Sequence, residues 1–236
     1  MRFGFYDSGI GGLITLREIV ERVGCFDALY LADTANFPYG DKEKEELFEI
    51  GRRGISYLFE RGVDVVVVAC NTLSTTVGEN LKKEFEKPVI LITDFLEGFD
   101  VPKNSLIIGT KRTVESGFYQ RKLGVSALAT PKLAQFVEIG IWEGGEVEEY
   151  LKEILPEGFD FLILACTHYT VLKGTIRKIK PNLGILDISE LFADHFARSF
   201  KVLGSGGEIK VFLTGKEEKY PKLISALKFP CPIELV

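Results

Sequence analysis

Two short apolar runs, one in each half of the chain, end in the same dipeptide. The first ends in Ala69-Cys70 and the second in Ala165-Cys166, and polar residues follow at once in both cases. Runs of this kind are typical of central strands of a parallel sheet, because helices must cover both faces of such a strand. Ligands of these sheets bind beyond the carboxyl ends of the strands. The repeat therefore predicts an internal duplication with one thiol at each ligand-binding edge.

Further strand-like runs alternate with helical patterns along the whole chain. The runs lie at residues 2–6, 28–32, 63–69, 89–92, 106–109, 159–165, 184–188 and 210–213. Helices are expected at residues 12–23, 42–61, 74–85, 113–122, 131–142, 145–154, 169–179, 189–202 and 220–227. Such alternation indicates right-handed βαβ units, so the predicted class is α/β with parallel sheets flanked by helices.

The repeat and two breaks in this pattern predict two similar domains, related by a pseudo-two-fold duplication. The first break, at residues 95–105, contains Gly98 and Pro102, and the second lies at Gly204–Gly207. We therefore expect residues 1–96 and 206–236 to form one domain and residues 97–205 the other. Each half has one Ala-Cys strand, so the active site is expected at the interface.

Composition restricts the partners and the compartment. The chain has 236 residues, 46% of them hydrophobic and 27% charged, and its formal net charge is -5. Acidic and basic residues are interleaved, so no basic stripe indicates a nucleic-acid partner. No apolar run is long enough to cross a bilayer, and the amino terminus lacks the features of a signal peptide. The expectation is a cytoplasmic protein with no membrane partner.

The chain has four cysteines, and two of them have no polar signature beside them. These two, Cys25 and Cys231, are interpreted as small apolar fillers. Without export signals, a disulfide framework is not expected. The cysteine spacing and the two histidines also do not match a zinc site, so no metal is predicted.

A glycine-rich turn follows the first strand, at Asp7-Ser8-Gly9. It resembles a dinucleotide fingerprint, but Ile14 stands at the third glycine position and Asp7 would repel a pyrophosphate. No nicotinamide or flavin cofactor is therefore predicted. We interpret Asp7 as a carboxylate beside a reacting group; the alternative is a tight turn in which Asp7 serves the next helix.

Two further loops combine turn residues with side chains that can bind a ligand. In the loop after the second strand, Pro38 and Gly40 can hold a rigid shape with Tyr39 directed inward, or Asp41 can simply cap a helix. After another strand, Thr110 and Thr113 offer hydroxyls to a carboxylate or serve only as helix caps.

Each repeated cysteine stands before hydrogen-bonding residues. Asn71 and Thr72 follow Cys70, and Thr167 follows Cys166. At a helix start, backbone N–H groups and the helix dipole favour a thiolate and lower the pKa of the thiol, and the same groups can bind carboxylates. The alternative, two buried core cysteines, fits the duplication less well.

The two histidines differ in context. His168 lies two residues after Cys166 and can stabilise a thiolate there or pass it a proton. His195 lies in an apolar helical segment and is interpreted as structural.

Five segments together resemble glutamate racemase, of the cofactor-independent aspartate/glutamate racemase superfamily. The matching stretches are Asp7–Leu13, Asp33–Gly40, Val68–Thr72, Gly109–Thr113 and Ala165–Tyr169. They occur in the family's order and cover nearly the whole chain. The departures are Asn36, where the family often has arginine, Thr170, where proline is usual, and a shorter region between Glu138 and Cys166.

The resemblance implies specific roles for these residues. Cys70 and Cys166 are implied as the two catalytic acid/base residues, assisted by Asp7 and His168 respectively, and Glu138 joins the hydrogen bonds of the second cysteine. The positions implied to line the glutamate pocket are Ser8, Pro38, Tyr39, Gly40, Asn71, Thr72, Thr110, Thr113 and Thr167. The resemblance also implies a homodimer without a cofactor that makes D-glutamate for bacterial peptidoglycan.

Racemisation explains why two thiols are needed. A proton must leave Cα on one face and return on the other, and one base on each side satisfies that geometry. Rival hypotheses are an aspartate racemase or related decarboxylase of the same superfamily, a non-catalytic dicarboxylate-binding protein, and a redox protein with a reversible Cys70–Cys166 disulfide. Assays with glutamate, aspartate and malonate derivatives separate the other enzymes of the superfamily, and binding without racemisation would reveal the binding protein. The Asn, Thr and His residues beside the cysteines suit ligand binding better than redox chemistry.

Overall fold

The computed structural model describes residues 1–200, 206–215 and 218–236, and the strands in these ranges form two parallel sheets. The strands are β1 Phe3–Asp7, β2 Ala28–Ala32, β3 Val65–Val68, β4 Val89–Leu91, β5 Ser105–Gly109, β6 Ser126–Ala129, β7 Phe161–Ala165, β8 Gly184–Asp187, β9 Ile209–Leu213 and β10 Ile233–Leu235. The helices are α1 Gly11–Val23, α2 Lys44–Glu60, α3 Asn71–Thr76, α4 Gly78–Glu84, α5 Lys111–Glu115, α6 Phe118–Leu123, α7 Pro131–Glu138, α8 Gly145–Ile154, α9 Lys173–Ile179, α10 Ile188–Ser199 and α11 Lys219–Ala226.

The strand orders place β3 and β7, the two strands that precede the repeated cysteines, inside their sheets rather than at an edge. The larger sheet has the order β10-β9-β2-β1-β3-β4, and the smaller one has the order β6-β5-β7-β8. All pairs are parallel. The α/β prediction of two parallel sheets flanked by helices is therefore confirmed. The predicted domain boundaries stay a prediction, and the second break falls partly outside the described residues.

One apolar cluster joins the two halves. It includes Phe5 and Ile14 from the larger-sheet half and Ile163 and Phe192 from the smaller-sheet half. Inside this interface the Thr15 hydroxyl is hydrogen-bonded to the Ser189 hydroxyl at 2.8 Å, which links α1 to α10. The two sheets are therefore held against each other by buried contacts that lie away from the pocket described below.

The sequence missed two edge strands and several helix breaks. β6 is half exposed and built from small residues, and β10 has three residues, so neither contains the apolar run that identified the others. The helix predicted at 113–122 divides at Gly117, whose φ of 63° is left-handed, and that at 74–85 divides at Val77. The helix predicted at 131–142 ends at Glu138, and that at 169–179 begins as a 3₁₀ turn.

Cys25 and Cys231 form a disulfide, which corrects their interpretation as separate apolar fillers. Cys25 lies just before β2 and Cys231 just before β10, and their sequence separation is 206. Because the amino ends of parallel strands meet at one edge of a sheet, the fold brings the two cysteines together. That edge is opposite the carboxyl ends at which ligands bind. No local spacing could reveal such a pair.

Candidate active site

The polar residues that follow the central strands converge on one pocket between the sheets. Asp7 ends β1, and Cys70 lies two residues beyond its neighbour β3. In the smaller sheet, Thr110 follows β5 and Cys166 follows β7. Cys70 and Cys166 both line this pocket. The structure thus brings the repeated thiols to a common cavity from two different sheets.

Most of the residues predicted for the site line the pocket, and the rest lie behind it. Those that line it are Ser8, Pro38, Tyr39, Gly40, Cys70, Asn71, Thr72, Thr110, Cys166, Thr167 and His168. Asp7, Thr113 and Glu138 are buried behind these residues and contact them. Residues that the sequence analysis did not place there complete the wall: Phe37, Asp41, Lys111, Pro131 and Ala134.

Asp7 connects the two halves of the site. Its Oδ1 accepts hydrogen bonds from the Gly9 N–H at 3.0 Å and the Ser8 hydroxyl at 3.4 Å, so it also shapes its own turn. Its Oδ2 accepts from the Thr167 hydroxyl at 3.2 Å. Burial raises the pKa of Asp7 to about 6, although the positive charge of His168 lowers it. Asp7 can therefore change protonation state near neutral pH.

Cys70 is a buried free thiol, 4% exposed, at the start of α3. Burial is the largest influence on this thiol and raises its pKa well above the ordinary value, with the charge of Asp7 acting in the same direction. Hydrogen bonds from the backbone of Leu73 and Thr72 lower the pKa by less. The prediction that the helix start lowers the pKa of this thiol is therefore wrong in its net direction, because desolvation outweighs the helix terminus.

Cys166, 6% exposed, stands beside a buried histidine and carboxylate. His168 Nδ1 lies 3.8 Å from the sulfur, and His168 Nε2 lies 2.7 Å from Glu138 Oε2. Burial lowers the pKa of His168, but its hydrogen bonds with Cys166 and Glu138 more than offset this and leave the pKa well above its ordinary value. The raised pKa favours the protonated imidazole, whose charge favours negative charge on the neighbouring sulfur.

A cluster of three threonine hydroxyls crosses between the halves near Cys70. Thr72 is hydrogen-bonded to Thr110 at 2.9 Å and to Thr113 at 3.3 Å. Thr110 also accepts from the backbone N–H of Thr113 and so caps α5. The capping role and a pocket-lining role therefore coexist at Thr110.

The loop before α2 is held by a buried carboxylate. Asp33 accepts hydrogen bonds from the side chains of Asn36, Tyr39 and Thr214. The Tyr39 hydroxyl is also bonded to that of Tyr6 at 2.7 Å. These bonds fix the Tyr39 hydroxyl, and the residue lines the pocket. Glu43, rather than Asp41, precedes α2.

His195 does not line the pocket. His195 is half-buried against Phe95, and its ring is bonded to Ser199 at 3.2 Å, which suits the structural role predicted for it. Within residues 1–200, 206–215 and 218–236, no group of three or more His, Cys, Asp or Glu side chains is arranged to hold a metal ion. None of the helices described there is long and apolar enough to cross a membrane.

Comparison with known proteins gives consistent relatives over nearly the full length. No protein-family model matches the chain. It is 38% identical to the glutamate racemase of Persephonella marina, over 94% of this chain and 92% of that protein. It is 39% identical to the glutamate racemase of Aquifex pyrophilus, over 91% of this chain and 89% of that protein.

Solved structures agree with these sequence relatives. The glutamate racemase of Thermus thermophilus, in complex with beta-chloro-D-alanine, has a TM-score of 0.86 at 32% identity and covers 100% of this chain and 96% of that one. An aspartate racemase of Picrophilus torridus, at 20% identity and a TM-score of 0.61 over 84% of this chain and 92% of that one, shares the fold alone.

Proposed function

Because the chain belongs to the glutamate racemase family, we propose that it interconverts L-glutamate and D-glutamate by proton transfer at Cα between Cys70 and Cys166. Membership of this family makes it an isomerase. The proposal concerns the substrate and the two cysteines that carry the proton.

The observation that supports the proposal is that two free thiols line one pocket from two different sheets. Racemisation requires proton removal on one face of Cα and proton return on the other. A single base would have to cross the plane of the carbanion, whereas two bases on opposite sides need only small movements. The pocket provides one sulfur from each half of the duplicated fold.

The surroundings of the cysteines support different starting protonation states. The protonated His168 stabilises a thiolate at Cys166, and the raised pKa of Cys70 keeps that residue a thiol. In one direction the Cys166 thiolate takes the Cα proton, and the C–H electron pair passes into the carboxylate to form an enediolate. The Cys70 S–H bond then breaks and its proton joins the opposite face of Cα. In the other direction the two cysteines exchange roles.

We assign to Asp7 the role of taking the proton from Cys70 when the two cysteines exchange roles. With a pKa of about 6, this carboxylate is largely ionised at neutral pH and can accept the Cys70 proton before the reverse reaction. Its bond with Thr167 ties its position to the Cys166 half of the pocket. His168 and Glu138 serve Cys166 in the corresponding way.

Donors around the pocket supply the remaining stabilisation. The amide of Asn71 and the hydroxyl of Thr72 line the cavity, while the Ser8 and Thr167 hydroxyls beside them donate to Asp7. Preorganised donors stabilise an enediolate most where water is excluded, and general acid/base transfer adds on the order of 100- to 10,000-fold. Both contributions come from residues of this chain.

The direct test is a circular-dichroism assay of purified protein with L-glutamate and no added cofactor. We expect the signal to decay to zero as the mixture becomes racemic, and aspartate to give a much slower decay. In heavy water, early product should carry deuterium at Cα while the remaining substrate stays protiated. A stable signal with glutamate at high enzyme concentration would refute the proposed function. Rapid label entry into recovered substrate would instead indicate one exchanging base.

The family also suggests a biological setting. We propose that the enzyme is a cytoplasmic homodimer and that its D-glutamate enters peptidoglycan. Complementation of a bacterium that needs external D-glutamate tests the last point. Sedimentation velocity of the purified protein tests the dimer, and cell fractionation tests the compartment.

A further inference from the structure

Tyr119 is a buried tyrosine that does not line the pocket but contacts a residue that does. It lies in α6, in the half of the smaller sheet, and its side chain is fully buried. Its hydroxyl donates a hydrogen bond to Oδ1 of Asn71, the first residue of α3 in the other half. The bond therefore crosses the interface between the halves and ends at the pocket wall.

Asn71 presents an unused donor beside this bond. Its side chain is buried and lines the pocket, yet Nδ2 has no hydrogen-bond partner among the residues that the structure describes. A buried polar group without a partner costs about 1–3 kcal/mol, so such groups are rare unless a ligand or water completes them. The unpaired group is an amide N–H₂, which donates hydrogen bonds, and a carboxylate oxygen accepts them. The vacant donor thus suits the substrate class of the proposed reaction.

Tyr119 determines which end of the amide faces the pocket. Among the described residues, the Tyr119 hydroxyl donates its proton to Oδ1 of Asn71. If the amide rotated by half a turn, the buried Tyr119 proton would lose its acceptor. The Asn71 carbonyl oxygen would then point into the pocket and repel a carboxylate.

We propose that Tyr119 is a positioning residue for substrate binding: it holds Asn71 with Nδ2 directed into the pocket, where the amide donates to a carboxylate of glutamate. The inference rests on the proposed function for its ligand. Hydrogen bonds in such a chain, from hydroxyl to amide to carboxylate, polarise one another in a site of low dielectric. Tyr119 therefore acts on binding through Asn71 and touches no reacting atom.

The test is a double-mutant cycle on Tyr119→Phe and Asn71→Ala, with KM and kcat for glutamate and the Kd of D-glutamate by calorimetry. Phenylalanine keeps the buried ring and removes only the hydroxyl. We expect Tyr119→Phe to raise KM and Kd about 3- to 10-fold, the loss of one neutral hydrogen bond, with kcat changed less than about twofold. In the Asn71→Ala background the same substitution should leave KM and Kd unchanged.

Tyr169→Phe is the matched control, because Tyr169 is also fully buried and its hydroxyl is bonded to Thr130 rather than to Asn71. It should lower the melting temperature about as much as Tyr119→Phe without raising Kd. An unchanged Kd in Tyr119→Phe, or an equal rise in the Asn71→Ala background, would overturn the positioning role.

The cycle also separates this inference from the proposed function. Wild-type protein that binds glutamate without racemising it would refute the reaction, while the Kd values would still decide the role of Tyr119. Protein that neither binds nor racemises glutamate would overturn both.

Discussion

Glu138 Oε2 lies 2.7 Å from His168 Nε2, and both side chains are buried. The same oxygen accepts the backbone N–H of Ile10 at 3.2 Å, so the carboxylate is fixed from two directions. With Cys166 on the other ring nitrogen, His168 is held between two acceptors. The bond between Glu138 and His168 therefore favours a proton on the imidazole that faces the Cys166 sulfur.

Glu138→Gln should lower the pKa of His168, because the amide keeps the size of the side chain but removes its charge. We expect kcat/KM to fall about tenfold or more, the difference between a charge-assisted and a neutral hydrogen bond. NMR titration of the ring can follow the pKa directly, since the chain has only two histidines. The exposed Glu149→Gln is the control. An unchanged His168 titration in Glu138→Gln would contradict this account.

Cys70→Ala and Cys166→Ala should each reduce racemisation by at least about 100-fold, because each removes one of the two proton carriers. The equilibrium constant of a racemisation is one, so kcat/KM is equal in both directions and cannot show which face a cysteine serves. Proton exchange in heavy water can. We expect each variant to exchange the Cα proton of one enantiomer only, and opposite enantiomers in the two variants. Near wild-type turnover in either variant would remove that cysteine from the mechanism.

The pH profile of kcat/KM should have an acid limb near pH 6, set by Asp7. Asp7 must be ionised to accept a proton from Cys70, so activity rises as pH increases through its pKa. Asp7→Asn should remove this limb and lower the plateau. A limb of the same midpoint in Asp7→Asn would assign it to another group.

The raised pKa of Asp7 also affects stability. As pH rises, this contribution to stability falls, whereas activity rises. Its folded-state pKa is raised, from 3.8 to about 6, so its contribution to stability is fully present below pH 4 and is lost as pH rises through 6. The shift corresponds to about 3 kcal/mol. Asp7→Asn should therefore unfold at higher denaturant concentration than wild type at pH 8, and lose this advantage at pH 4. Equal midpoints at pH 8 would contradict the raised pKa.

Local patterns were sufficient for the parts of the site that lie on central strands. Cys70 and Cys166 follow buried apolar runs, and parallel strands place their carboxyl ends at one edge, so the sequence predicts that both thiols meet a ligand. Thr110 and Asp7 follow the same rule. The resemblance added Glu138, which no local feature identified.

Local sequence patterns could not predict contacts between distant segments. Tyr119 lies in a helix that begins after the left-handed Gly117, and nothing beside it indicates a partner at Asn71. The direction of the pKa shift of Cys70 depends on how deeply the fold buries the thiol, which a helix start alone does not reveal. The pairing of Cys25 with Cys231 depends on the strand order β10-β9-β2 at one side of the larger sheet.

Reduction of the Cys25–Cys231 disulfide should lower stability and leave catalysis unchanged. The bond joins residues 206 positions apart at the sheet edge opposite the pocket. Its loss should cost about 2–4 kcal/mol and lower Tm by roughly 5–15 °C. Calorimetry with and without reductant measures this change in Tm. The Cys25→Ser, Cys231→Ser double variant should have, in both conditions, the Tm of the wild-type protein in reductant. A reductant effect that persists in the double variant would assign it to other thiols.

Gly11→Ala should impair the enzyme through the space that one methyl group occupies. Gly11 begins α1, where alanine is the better helix former and would by itself stabilise the protein by about 0.5–1 kcal/mol. A Cβ atom there would overlap the Thr167 hydroxyl and lie 2.5 Å from His168 Nδ1. These side chains would have to move away from Cys166, and a displacement of about 1 Å can cost about 100-fold in rate.

The matched control for Gly11→Ala is Gly174→Ala, within α9, where a Cβ atom would meet no atom of the described residues within 4 Å. That variant should gain stability and keep full kcat/KM. Both substitutions replace a helical glycine by alanine, so helix propensity and chain entropy change in the same sense in both. The difference in kcat/KM between the two variants therefore isolates the contact of α1 with Thr167 and His168. Full activity in Gly11→Ala would mean that this contact does not set the position of His168.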